Sequence, residues 1–131
     1  MPMILFCSVL SAALGEDQRE PLHVSVIQLI ANPEKYDQKQ VAVIGFMRLE
    51  PEGDALYLSQ EDFMHGITAN AIWIDVSPDI QKNAQILNNN YVALLGVFDA
   101  SGHGHAGMFS GRLTKISRAT KWSDSHSPRR P

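Results

Sequence analysis

Two histidines separated by a single residue are the most conspicuous side chains in this sequence that could bind a metal ion. His103 and His105 alternate with glycines, so both imidazoles could turn toward one cation, and neutral imidazole is a common ligand for Zn, Cu and Ni. A site needs a further ligand, for which His65 is the best candidate and Asp99 or Asp62 the carboxylate alternatives. The pattern predicts either a Zn or Cu site or a glycine-rich connector whose histidines hydrogen-bond the neighbouring backbone.

A second group of residues could stack on a flat ligand. If two predicted strands direct their aliphatic side chains inward, Tyr57 and Trp73 project outward, and Asp75 shares the face of Trp73. Paired outward aromatic rings can hold bases or sugar rings, and each contact contributes about 1–3 kcal/mol in nucleic-acid complexes. The alternative is that both rings pack beneath a lead-in helix or the connection 60–69, because large aromatic side chains are usually mostly buried.

The charge distribution argues against nucleic acid as a partner. The chain has 11 basic and 14 acidic residues, a formal net charge of -3 at pH 7. Residues 112–131 carry six basic residues and one acidic residue, whereas residues 1–111 carry five and thirteen. Six carboxylates near the predicted aromatic face would repel phosphate: Glu50, Glu52, Asp54, Glu61, Asp62 and Asp75.

No pattern of residues in the sequence indicates catalysis. Ser110 lies between Phe and Gly rather than in a Gly-x-Ser-x-Gly elbow, and no Walker or dinucleotide-binding glycine motif occurs. Glu61 and Asp62 are adjacent carboxylates without a partner acid or base, a pattern typical of a helix N-terminus or a solvated face. We therefore expect a protein that binds rather than an enzyme.

These residues must be positioned by a chain of 131 residues, 44% of them hydrophobic, which is the size and composition of one domain. Its patterning predicts a lead-in helix over 24–31, three strands, a helix and two further strands. The predicted strands are Gln40–Leu49, Ala55–Ser59, Asn70–Val76, Tyr91–Ala100 and Met108–Arg118, and Ser77 caps the second helix. This order predicts a mainly β protein, a five-stranded OB-type Greek-key barrel with a lead-in helix and a helix between strands three and four.

Two stretches of similar sequence suggest how the barrel closes. Residues 41–47 and 92–98 are apolar on both faces and carry a glycine near the middle, Gly45 and Gly96. A glycine within such a strand marks a bulge or a sharp bend. The two stretches would be the first and fourth barrel strands, which pair to close an OB barrel. Two buried strands of an open sheet are the alternative.

Residues 24–37 and the Val-x-Val-x-Gly strand over 41–45 carry a resemblance to a known group of domains. A short helix, a linker beginning Tyr-Asp and this strand resemble the opening of small OB-fold domains of the tRNA-anticodon-binding-like group. When residues 61–67 and 102–111 are considered with this opening, the chain is similar to small uncharacterised exported bacterial proteins. The resemblance extends over about residues 22–122 and implies an OB fold. It does not indicate a ligand, because OB domains bind nucleic acid, oligosaccharide or protein.

The N-terminal segment predicts export. Residues 3–14 form an uncharged apolar run that is too short to span a bilayer, and small residues follow as a signal peptidase requires. We expect residues 1–15 to be a cleaved signal peptide, 16–122 a single domain and 123–131 a disordered tail. A buried N-terminal helix or strand is the alternative. Cleavage would leave no transmembrane segment and would remove Cys7, the single cysteine.

The sequence therefore predicts an exported, periplasmic or secreted binding module whose partner is an unknown protein or small ligand. It predicts no catalysis and no obligatory cofactor. Tyr57, Trp73 and Asp75 are the candidate ligand-binding residues. The alternatives are a periplasmic protein that binds Zn or Cu through its histidines, and a single-stranded nucleic-acid-binding protein that is not exported.

Overall fold

A computed structural model describes residues 20–122, and the predicted signal peptide and tail lie outside these residues. The strands are β1 (Leu22–Ser25), β2 (Gln40–Arg48), β3 (Ala55–Tyr57), β4 (Ala71–Ile74), β5 (Asn90–Asp99) and β6 (Arg112–Lys121). The helices are α1 (Val26–Ala31), α2 (Pro33–Tyr36), α3 (Gln60–Met64), α4 (Pro78–Lys82) and α5 (Ala84–Leu87), with short 3-10 turns at Thr68–Asn70 and His105–Gly107. No helix in this part of the chain is long and apolar enough to cross a membrane.

Five of the strands close into a barrel. They follow the order β2-β3-β4-β6-β5, and β5 also pairs with β2, which completes the ring. β4 and β6 run parallel, whereas the other neighbouring strands of the ring are antiparallel. β1 lies outside the ring, parallel to β2. This is the OB arrangement, with α1 leading in and α4 and α5 between the third and fourth barrel strands, and it confirms the predicted fold class.

The ring closes at the two glycine-containing strands, as predicted. β2 and β5 pair antiparallel along most of β2. The register of β5 against β6 shifts between Leu95 and Val97, which places an irregularity at Gly96. A Cβ at Gly96 would lie 2.8 Å from the carbonyl oxygen of Thr114, and one at Gly45 would lie 2.7 Å from the backbone of β3. Neighbouring strands therefore approach these two positions too closely for any larger residue.

One apolar core fills the barrel. Phe98 of β5 is fully buried and packs with aliphatic side chains from all five barrel strands. Helical residues add to the same core: Val26 and Leu29 from α1, Ile80 from α4 and Leu87 from α5. Burying each such side chain contributes about 1.5–3 kcal/mol, and no polar or charged side chain within residues 20–122 is buried with them.

Three of the short helices begin at serine N-caps. The hydroxyl of Ser25 accepts a hydrogen bond from the backbone N–H of Gln28, whose side chain accepts in return from the backbone N–H of Ser25. Ser59 caps α3 in a similar way, and Ser77 caps α4 immediately before Pro78. These caps set where each helix starts and hence which strands it can cover.

The structure differs from the predicted boundaries at the lead-in segment and the second helix. The lead-in segment starts as strand β1, because residues 22–25 pair with β2 before Ser25 caps α1. The second helix is divided into α4 and α5 at Asn83. Both changes leave the OB strand order intact.

The last strand also starts later than predicted, at Arg112 rather than Met108. The residues before it belong to the β5–β6 loop, residues 100–111. This loop folds back on the barrel, where the ring of Phe109 packs edge-on against that of Trp73. Phe109, which resembled part of a strand, therefore serves as a loop contact, whereas Met108 beside it is exposed.

Candidate functional site

The outer face of β2, β3 and β4 carries a second apolar cluster, separate from the barrel interior. Its buried members are Phe46, Ala55, Tyr57, Ala71 and Phe109, and Phe63 and Trp73 pack against them. Along β3, Leu56 points into the barrel core, whereas Tyr57 belongs to this outer cluster. The face on which the sequence placed Tyr57 and Trp73 is therefore aromatic, and most of it is covered.

Tyr57 is buried beneath α3. Only 6% of the residue is exposed, and its ring meets that of Phe63 edge-on, with 5.4 Å between the ring centroids. Phe63 also lies 5.9 Å from the ring of Phe46, and the guanidinium of Arg48 lies 4.9 Å from the Phe63 centroid. Of the two arrangements that the sequence left open for Tyr57, the structure has the one in which the connection 60–69 covers the ring.

Contacts at its first turn hold α3 over this face. The hydroxyl of Ser59 accepts a hydrogen bond from the backbone N–H of Asp62 at 3.2 Å. The backbone N–H of Gln60 donates to the phenol oxygen of Tyr91 at 3.1 Å, and the Tyr91 ring stands edge-on to Phe46. The helix is thus tied to β2 and β5 as well as to the strand that it covers.

Burial raises the pKa of the Tyr57 phenol, and the carboxylate of Glu50 raises it further. The fold therefore stabilises the neutral phenol. This contribution to stability is complete below the ordinary phenol pKa of about 10 and is lost as the pH rises through the folded-state value. At neutral pH, Tyr57 is an uncharged part of the packing rather than a surface for ligands.

Trp73 is only half-buried. Phe109 of the β5–β6 loop packs edge-on against it, with 5.3 Å between centroids. Gly104 of the same loop lies so close that a Cβ there would be 2.5 Å from Cε3 of the indole. Because glycine tolerates the φ of 63° at this position, the backbone can turn directly over the ring. The loop therefore holds the indole in one orientation.

The uncovered part of Trp73 lines a cleft between the β5–β6 loop and the β2–β3 loop, residues 49–54. The cleft has a volume of about 510 Å³. Its lining residues are Glu52, Trp73, Gly102, His103, Gly104, His105 and Arg112. Nε2 of His105, on one loop, lies 3.6 Å from a carboxylate oxygen of Glu52 on the other. The cleft thus combines one aromatic ring with imidazole, carboxylate and guanidinium groups.

Two carboxylates hold Arg112 in the wall of this cleft. Its Nη2 lies 3.1 Å from Asp99, and its Nη1 lies 3.7 Å from Asp75. The hydroxyl and backbone N–H of Ser101 also donate to Asp99, at 2.6 and 3.0 Å. The Ser101 hydroxyl has the largest effect on the pKa of the Asp99 carboxyl and lowers it. Burial, the next largest effect, opposes this, and the Ser101 N–H and Arg112 lower the pKa further, so that the net shift is downward. The guanidinium is therefore fixed beside two carboxylates.

The cleft brings together two of the three histidines predicted as metal ligands. His103 and His105 both line it, and Nδ1 of His103 lies 3.1 Å from the carbonyl oxygen of Phe109. His65 is not among the lining residues, and its Nε2 lies 3.9 Å from Glu61 one helical turn away. In the part of the chain that the structure describes, no three His, Cys, Asp or Glu side chains are arranged to hold a metal ion.

The cleft also contains residues that the sequence did not single out for binding. The sequence identifies Glu52 only as a charge that repels phosphate, and Arg112 only as one of the basic residues of the C-terminal region. A signal was available, because the third and fifth strands of an OB barrel pair in parallel, and this pairing places Arg112 opposite Trp73. The position of Gly104 over the ring had no comparable signal, since it depends on how the loop folds back.

A smaller groove lies between α4 and β6, with a volume of about 250 Å³. It is lined by Ser77, Asp79, Ile80, Asn83, Ile116, Ser117, Arg118 and Ala119. No aromatic side chain contributes to it. The groove therefore serves as a control location: ligand binding there can be distinguished from ligand binding at the Trp73 cleft.

Replacing Asp99 by asparagine is expected to lower the free energy of unfolding at pH 7 by about 1.5–3 kcal/mol, the range for hydrogen bonds to a charged group. Because the folded-state pKa of Asp99 is lowered from 3.8, its contribution is present above that ordinary value and is lost as the pH falls through the folded value. Urea unfolding between pH 7 and pH 2 measures both effects. Asp75→Asn is the matched control, since Asp75 contacts Arg112 only at 3.7 Å. Equal losses in the two variants would contradict the prediction.

The comparisons with known proteins identify no family. No protein-family model matches the chain, and no curated protein sequence matches it. Among solved structures, the chain is similar to a crystal structure assigned as an aspartyl-tRNA synthetase from Leishmania major Friedlin, with 12% sequence identity and a TM-score of 0.45. The match covers 92% of this chain and 22% of that one, so this chain spans about a fifth of the length of the matched protein.

Proposed function

We propose that this domain is a binding module and that its ligand site is the cleft between the β2–β3 and β5–β6 loops. The observation that carries the proposal is the half-buried ring of Trp73, which Phe109 and Gly104 hold in place and which lines the cleft. An aromatic side chain that is held in place in this way loses little conformational entropy when a ligand stacks on it. A cleft that combines an aromatic ring with a few polar groups is also typical of small-ligand binding sites.

The position of the cleft in the fold supports the proposal. OB barrels bind ligands on the face of their second and third strands and between the loops that join strands one and two and strands four and five. In this chain α3 and Phe63 cover much of that face, above Tyr57. The cleft at Trp73 lies between the corresponding two loops and is open. We therefore assign binding to Trp73, with Glu52 and Arg112, and assign packing to Tyr57. Asp75 is not among the residues that line the cleft and contacts Arg112 at 3.7 Å.

Amide chemical-shift mapping of the 15N-labelled full chain tests the proposal. The probes are maltotetraose, arginine amide, AMP and a neutral tripeptide, which sample four classes of ligand. We expect at least one of them to shift the indole N–H of Trp73 and the amides of residues 102–105, and Trp73→Ala to remove these shifts. The proposal fails if the shifts concentrate in the groove lined by Ile80 and Arg118, or if no probe shifts the cleft.

The remaining predictions from the sequence have direct tests of their own. Titration with Zn(II) and Cu(II) tests the metal hypothesis, and heat release that is lost in His103→Ala and His105→Ala would support it. Salt-dependent gel shifts with single-stranded oligonucleotides test nucleic-acid binding, for which the acidic loops predict a flat response. The intact mass of the protein recovered from cells tests removal of residues 1–15.

A further inference from the structure

We infer that the cleft takes a neutral polyhydroxylated ligand, the pyranose ring of a saccharide, with its flat face of C–H groups on the indole of Trp73. The inference rests on the proposed function, because it names the ligand class of the same cleft. An indole offers a flat apolar surface, and a pyranose presents C–H groups on its faces and hydroxyls around its edge. The volume of about 510 Å³ lies within the usual range for small-ligand sites.

The polar groups around Trp73 suit hydroxyls, which both donate and accept hydrogen bonds. Arg112 can only donate, and the carboxylate of Glu52 can only accept. Because a carbonyl oxygen only accepts, the 3.1 Å contact of His103 with Phe109 places the proton on Nδ1 and leaves Nε2 of neutral His103 as an acceptor. The cleft thus offers both donors and acceptors, and Asp99 holds the guanidinium in place.

The charges of the cleft favour an uncharged ligand over an ionic one. A phosphate or carboxylate ligand would meet Glu52 and the carboxylates of Asp75 and Asp99 that flank the guanidinium. An organic cation would be attracted by Glu52 but would also meet the guanidinium of Arg112, and the two carboxylates beside Arg112 are already paired with that guanidinium. A neutral saccharide has no charge to be repelled by the carboxylates or by the guanidinium, and its hydroxyls can hydrogen-bond to both.

Titration of the 15N-labelled full chain with neutral tetrasaccharides tests this inference. The probes are maltotetraose, cellotetraose and N-acetylated chitotetraose, and arginine amide and AMP are the ionic comparisons. We expect at least one tetrasaccharide to shift the indole N–H of Trp73 and the amides of residues 102–105 in a saturable manner. We expect the two ionic probes to leave these resonances in place.

Substitutions of Trp73 and of Glu52 separate an effect on ligand binding from an effect on folding. Trp73→Ala should weaken tetrasaccharide binding by at least about tenfold, the size of effect typical of one aromatic stacking contact, and Trp73→Phe should retain part of it. Trp122→Ala removes the other tryptophan of the chain, at the far end of β6, and should leave binding unchanged. Glu52→Gln keeps an exposed loop intact and should weaken binding severalfold, so the test does not depend on whether Trp73→Ala folds.

Each contrary outcome has a distinct meaning. If arginine amide or AMP shifts the cleft and none of the tetrasaccharides does, the ligand class is wrong while the cleft stands as a binding site. If tetrasaccharides bind with shifts outside the cleft, or bind Trp73→Ala and Glu52→Gln as tightly as the native chain, the cleft is wrong and the proposed function fails with it. If no probe shifts the cleft, both are overturned.

Discussion

Replacing Gly104 by alanine is expected to lower the free energy of unfolding by about 2–6 kcal/mol and to remove ligand binding at the Trp73 cleft. An L side chain at φ 63° and ψ -158°, a conformation that essentially only glycine adopts, costs about 1–3 kcal/mol relative to glycine. The added Cβ would also lie 2.5 Å from Cε3 of Trp73 and 2.8 Å from Cδ2 of Phe109, and such overpacking costs about 1–3 kcal/mol. The loop must therefore move away from the ring, and the cleft loses one wall.

Gly107→Ala is the matched control for this prediction. Gly107 lies in the same loop with a φ of 66°, but a Cβ there would meet nothing within 4 Å. Its substitution therefore carries the backbone cost without the clash. Urea unfolding followed by circular dichroism compares the two variants, and tryptophan fluorescence in a Trp122→Phe background reports the environment of Trp73 alone. Equal losses of stability, with an unchanged emission of Trp73 in both variants, would show that Gly104 does not hold the ring.

Truncation of Phe63 to alanine is expected to lower the free energy of unfolding by about 2–4 kcal/mol and to uncover Tyr57. Full truncation of a buried phenylalanine costs about 3–5 kcal/mol, and because Phe63 is only partly buried, the expected loss is about 1 kcal/mol smaller. The ring of Phe63 contacts those of Tyr57 and Phe46 and carries the guanidinium of Arg48 above it. Since burial is the largest cause of the raised pKa of Tyr57, that pKa should fall toward its ordinary value of about 10.

Met64→Ala is the corresponding control on the same helix. Met64 is 63% exposed, and surface substitutions of this kind usually change the free energy of unfolding by no more than about 0.5 kcal/mol. Urea unfolding gives the stability of each variant, and the alkaline absorbance titration of the tyrosines gives the pKa change. A Phe63→Ala variant as stable as Met64→Ala, or one with an unaltered tyrosine titration, would contradict the view that α3 seals this face.

The barrel could be predicted from the sequence because its signals are local and recur along the chain. Alternation along β3 and β4 separates core-facing from outward side chains, and the Ser77 N-cap marks the start of the helix that follows β4. The two apolar strands with central glycines, Gly45 and Gly96, predicted the pairing that closes the ring, and β2 and β5 do pair there. Strand β1 escaped prediction because residues 22–25 are short and merge into the helical pattern that Ser25 begins.

The candidate site was less predictable, because its geometry depends on contacts between segments that are far apart in the chain. The sequence by itself determined the OB order of strands and the outward direction of Tyr57 and Trp73. Only the tertiary structure decided that α3 buries one of these rings while the β5–β6 loop leaves part of the other open. The physical reason is that alternation determines which side of a strand a residue faces, whereas its exposure depends on how Phe63 and Gly104 fold back over that side.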